Sequence, residues 1–181
     1  NGKPAEAGAA FNGYLMANQL AGGDINNLQP GLDYFKKLKE AGNLTTVDVT
    51  NGTIDSGQTG VVFDWTYNQA SYKKELKDKG VNWKYKTFVS YYNQAINKDA
   101  PHPAAARLWE EYLYTADAQN LWFKGGANPV LLDSMKEDGT VDQATLKDAI
   151  TIEGEPVSYT NDDSTRITEW LQNNWDKTIG N

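Results

Sequence analysis

The 181 residues contain no cysteine, which removes disulfides, thiolate metal sites and cysteine nucleophiles together. They hold one histidine, His102, flanked by Pro101 and Pro103 at a helix start and read as structural, so a histidine-rich metal cluster is out of reach. No HExxH, GxSxG, GxGxxG or Walker loop occurs anywhere in the chain. No apolar run approaches the ~20 residues that span a bilayer, and no signal peptide is present. The chain opens at Asn1-Gly2 without an initiator Met, and the expectation is that any export signal or lipid anchor lies upstream. Positive charge is also scarce: 17 Lys and Arg stand against 24 Asp and Glu, a formal net charge of -7. Such a field repels phosphate backbones and anionic bilayers, so nucleic acid is not an expected partner, nor is insertion into a membrane.

What the chain has is aromatic residues, 12% of the total with six Trp and ten Tyr, beside 23% charged residues, the mixture of a folded globular protein. Helical spacing of Ala10, Tyr14, Ala17 and Leu20 predicts a first helix over 4–21, stopped by Gly22-Gly23. Pro30 opens a second, with Leu32, Phe35 and Leu38 on one face and Lys36, Lys37, Lys39 and Glu40 in water, ending before Gly42. Residues 43–60 read as turns, with at most a short strand over 46–49. The apolar run 60–65 reads as a buried parallel strand, 68–79 as a helix, and the alternation of Val81, Trp83, Tyr85, Thr87 and Val89 with Asn82, Lys84, Lys86 and Phe88 as a half-buried strand. A further helix begins near Asp99, read as its cap, with Ala105, Leu108, Trp109, Tyr112 and Leu113 as its inward stripe. Shorter helices follow over 116–123, 131–137, 142–150 and 164–176. Strand, helix, strand implies a parallel crossover, and the whole pattern an α/β class.

Two clusters concentrate the chemistry. Asp64, Trp65 and Tyr67 lie where the first strand runs into a helix, the place where open α/β sheets bind ligands, and together they supply a carboxylate, an indole and a phenol. The scaffold alternative is that Trp65 is core and Asp64 caps the helix. Tyr91, Tyr92 and Asn93 follow the second strand; alternation sends one tyrosine to the core and the other, read as Tyr92, to a ligand. Paired carboxylates at the ~5–9.5 Å spacing of glycosidases are numerically available, but Glu110-Glu111 and Asp162-Asp163 fall on faces or caps read as solvated. No catalytic residue, cofactor or metal is assigned.

Three stretches, GGDINNLQPGLDYFKKLKEAGNL, SGQTGVVFDWTYNQ and YYNQAINKDAPHPAAARLWEEYLYTADAQNLWFKGGANPV, resemble the later part of bacterial extracellular solute-binding proteins of ABC importers, the iron, polyamine, thiamine and phosphonate group. The resemblance implies a periplasmic-binding-protein-like type II fold of which this is the C-terminal half. It implies one lobe over 1–88, a return to the other lobe over 89–130, and a C-terminal helical segment crossing back over 131–181. It implies a receptor rather than an enzyme: a lipidated or periplasmic protein that captures a small polar or charged solute between two lobes and hands it to a membrane permease. Iron-binding members offer adjacent tyrosines near the strand that here carries only Tyr67, and polyamine-binding members an acid near Tyr91 to Asn93, where this chain has none; Asp64 is the acid left for an amine. An anion would call on Arg107 or Arg166, the two arginines, both in predicted helices. The alternatives are a carbohydrate-binding module, from the aromatic content, and a glycoside hydrolase fragment.

Overall fold

The computed structural model describes residues 2–45, 47–89, 91–150, 152 and 157–180. Among them the only regular structure is helical: α1 (Gly8–Leu20), α2 (Gln29–Glu40), α3 (Asn51–Asp55), α4 (Thr66–Glu75), a 3-10 turn (Lys77–Lys79), α5 (Pro103–Leu113), α6 (Ala116–Lys124), α7 (Leu132–Glu137), α8 (Gln143–Asp148) and α9 (Asn161–Thr178). No strand and no sheet is present among the described residues, which overturns the α/β class, the parallel crossover and the type II periplasmic-binding-protein fold.

The correction has a physical reason. Period-two patterning specifies which face of an extended chain is buried, but a strand exists only when a neighbour completes its ladder. Over 81–86 burial does alternate, with Val81, Trp83 and Tyr85 half-buried and Asn82, Lys84 and Lys86 exposed, yet the segment is not assigned to a strand. The Trp83 and Tyr85 rings stack at 6.4 Å and 10°, and burial pushes the Tyr85 phenol above its ordinary range. Residues 61–65 likewise carry no regular structure, and Val61 is 81% exposed, not the core residue of a parallel strand. The strand considered over 46–49 includes Thr46, which lies outside the described residues; Val47 to Val49 are irregular.

The chain divides into two compact units. The first comprises Asn1–Trp65, Glu75–Ser90 and Ile152–Asn181. Its core joins Phe11, Tyr14, Leu15 and Ala17 of α1, Leu28, Leu32 and Phe35 at α2, and Ile167, Leu171 and Ile179 at α9. Each such large side chain contributes roughly 1.5–3 kcal/mol by leaving water. The α2 face formed by Leu32 and Phe35 is buried as its spacing predicts, and its lysines are exposed. In α1 the buried face includes Tyr14 and Ala17, but Leu20 is exposed at the helix end while Asn18 is buried. Tyr14 stacks on Phe35 at 5.9 Å and donates its hydroxyl to the Leu28 carbonyl.

Asn18 organises the turn between α1 and α2. Its Nδ2 donates to the carbonyls of Asp24 and Asn27, both at 2.9 Å, and its Oδ1 accepts from the Gly31 N–H at 2.8 Å. A Cβ at Gly23 would sit 2.3 Å from Asn18 Oδ1, so the turn requires glycine there. Arg166 of α9 grips the same turn, donating to the Ile25 carbonyl at 2.9 Å and pairing with Asp163 at 3.0 Å. A Thr50 capping box starts α3, a helix inside a region read as turns, and a Thr160 capping box with Asp163 starts α9.

The second unit comprises Thr66–Lys74 and Tyr91–Thr151. Phe123, Met135 and Val141 form its small core, with Leu131, Leu132, Leu146 and Ala149 packed on it. Asp142 caps α8 through the Thr145 N–H at 2.9 Å and pairs with Lys124 at 3.0 Å, and Gln119 Nε2 donates to the Leu113 carbonyl at 2.6 Å. Helix α5 begins at Pro103, after an N-cap His102 that makes no side-chain bond, so Asp99 is not its cap. The expected inward stripe of α5 is also corrected: Leu113 is buried, whereas Ala105, Leu108, Trp109 and Tyr112 are exposed. No helix among the described residues is long and apolar enough to cross a membrane.

Candidate functional site

Tyr67 enters the second unit on the first turn of α4, and its position is set by close packing against the turn after α6. Gly126, with φ +89°, approaches so closely that a Cβ there would lie 2.9 Å from the Tyr67 Cα and 3.2 Å from the Ala70 Cβ. Only glycine satisfies both the left-handed backbone and that approach. Tyr92 lies on the irregular segment that precedes α5, and its hydroxyl stands 3.3 Å from that of Tyr67. Two phenols separated by 25 positions thus meet through their hydroxyls, each oxygen able to donate or accept.

Tyr91 and Tyr92 are 58% and 71% exposed, and Asn93 is exposed beside them. The expectation that one of the two tyrosines packs into a core is therefore wrong: without a strand and sheet there is no inward face for alternation to fill. Both phenols and the Asn93 amide are presented to solvent. The Tyr67–Tyr92 pair offers a ligand two hydroxyls at adjoining positions, which suits polar solutes bound by hydrogen bonds and ring faces.

Asp64 and Trp65 belong to the first unit. Both are half-buried; Asp64 Oδ1 accepts from the Trp65 N–H at 2.8 Å, and the Trp65 indole lies against the start of α1, 3.5 Å from where a Cβ of Gly8 would stand. Neighbouring Phe63 packs on α1 at Gly13, where a Cβ would be 2.7 Å from its own. The sequence cluster Asp64, Trp65, Tyr67 is thus divided, with its indole on the α1 scaffold and its phenol joined to Tyr92.

No three His, Asp or Glu side chains among the described residues are grouped to hold a metal ion. Arg166 is committed to the α1–α2 turn and to Asp163, while Arg107 is exposed on α5.

No family model matches the chain, and no curated protein matches it. The Tyr67–Tyr92 contact is the pairing that reading along the chain missed; each phenol stood out within its own local cluster, but a contact across 25 positions leaves no local pattern.

Proposed function

We propose that the chain is a solute-binding component of an ABC importer, working outside the cytoplasmic membrane, where it captures a small polar or charged solute and delivers it to a permease. The observation that carries this reading is the Tyr67–Tyr92 phenol pair, half-buried at Tyr67 and exposed at Tyr92, with Tyr67 packed at Gly126 and Tyr92 flanked by Tyr91 and Asn93. The resemblance of the three stretches to extracellular solute-binding proteins supports it. Binding by hydroxyl and amide donors and acceptors requires no bond making, and the chain carries none of the motifs of nucleophilic or metal-assisted catalysis. The helical architecture counts against a carbohydrate-binding module, a class read as β-rich.

The test is calorimetric titration of the wild-type chain, Tyr67→Phe and Tyr92→Phe with ferric iron, polyamines, thiamine, phosphonates, sugars and amino acids. The expected result is one class that binds the wild type and loses about 5-fold or more in affinity when a hydroxyl is removed, the worth of one ligand hydrogen bond. A solute that binds all three proteins equally would move the site away from the phenols, and binding by none would end the receptor reading.

A further inference from the structure

The second unit has a small pocket of about 200 Å³ between the segment 94–100 and α5, lined by Gln94, Asn97, Ala100, Ala106, Trp109 and Glu110 among others. It shares no residue with the tyrosine pair and bears no assigned role. Its size is below the ~300–1,000 Å³ of pockets for drug-sized ligands, so it admits a group of only a few heavy atoms. Alanines contribute to its lining, and Trp109 is 61% exposed, with its ring tilted at 35° to that of Tyr112.

Glu110 is the sole ionisable group on the lining, and its carboxylate makes no ion pair or hydrogen bond among the described residues. Arg107, three residues earlier on α5, is not part of the lining. The amides of Gln94 and Asn97 stand on the facing segment, where the Asn97 Oδ1 accepts from the Asp99 N–H at 2.9 Å, and no Lys or Arg is on the lining. A carboxylate beside an indole, in a pocket with no positive charge, favours a cation whose apolar part can lie on the ring and whose charged end meets the acid. It disfavours anions outright.

We propose that this pocket binds the ammonium group of a small organic amine, with the Glu110 carboxylate as counter-ion and the Trp109 indole as its apolar wall. The inference rests on the pocket alone and is independent of the receptor reading.

The experiment follows the indole N–H signals of the 15N-labelled chain during titration with n-butylammonium chloride and, separately, with n-butanol, its neutral isostere, at constant ionic strength. The Trp109 signal is assigned by its loss in Trp109→Phe. The expected result is a saturable shift of that signal with the ammonium ion and at least ~10-fold weaker binding of the alcohol. Glu110→Gln should weaken the ammonium affinity by a similar factor at an unchanged melting temperature, while Trp109→Phe, observed through backbone amides of α5, retains it. Absence of a saturable shift, equal affinity for the alcohol, or equal affinity in Glu110→Gln would each overturn the proposal, the second by showing an apolar dent with no use for its carboxylate.

Discussion

Replacing Asn18 by alanine removes three hydrogen bonds from the turn that joins α1 to α2. The loss is worked from where each partner lies. The Asp24 and Asn27 carbonyls belong to exposed residues and recover water, so each costs about 1 kcal/mol, the net worth of an ordinary hydrogen bond. The Gly31 N–H is buried against α1 and finds no replacement, which costs about 1–3 kcal/mol. The sum is roughly 3–5 kcal/mol, a large share of a typical domain's stability. Urea denaturation followed by far-ultraviolet circular dichroism should show a lower midpoint at unchanged slope. A companion change sharpens the test: Gly23→Ala drives a Cβ to 2.3 Å from Asn18 Oδ1, so it should be costly in the wild type and much cheaper once Asn18 is alanine. A loss below about 1 kcal/mol for Asn18→Ala, or a Gly23→Ala cost that is the same in both backgrounds, would show that Asn18 does not hold this turn.

Gly126→Ala should destabilise by at least ~1–2 kcal/mol through its left-handed backbone alone, and should weaken any solute response of the tyrosine pair, because the new Cβ pushes on Tyr67; thermal unfolding and titration check the two effects. Trp109→Ala, at an exposed site, should change stability by no more than ~0.5 kcal/mol, and a loss of several kcal/mol would place the indole in a core instead. The Asp163 carboxyl is pulled down to about 2, first by the Thr160 N–H, then by the Thr160 hydroxyl and Arg166; the Asp142 carboxyl is pulled down to about 2, first by the Thr145 N–H. Both folded values lie below the ordinary aspartate value, so these caps contribute fully above about pH 4 and lose their contribution as pH falls toward 2. Stability followed through that window should fall less in Asp163→Asn and Asp142→Asn, which carry no titrating carboxyl there, than in the wild type.

Helices were legible in the sequence wherever a stop signal and an apolar stripe coincided. Pro30 and the glycine at position 42 bracket α2 within a residue or two, and the glycine pair at 125–126 closes α6. The strands were not, because alternation over 81–89 carries information about faces and none about whether a partner strand exists. The α5 stripe failed for a related reason: helical periodicity identifies an apolar face, and burial of that face needs something to pack on it. Helix α3 was overlooked although the Thr50-x-x-Thr53 spacing of its capping box is written in the chain. Asn18 left no signal, since a polar residue inside a helix reads as solvated until its three partners are seen. Of the candidate site, the residue types were legible and their grouping was not: Tyr67 left its sequence neighbours Asp64 and Trp65 to join Tyr92.

The central claim is that the chain binds a solute, and a thermal-shift screen against ferric iron, polyamines, thiamine, phosphonates, sugars and amino acids tests it most directly. A solute at 100 times its dissociation constant stabilises by about 2.7 kcal/mol, or roughly 5–10 °C for a chain of this size. A shift of that order for one class, reduced in Tyr67→Phe and Tyr92→Phe, is the predicted result. An unchanged melting temperature across every class at saturating concentrations would contradict it.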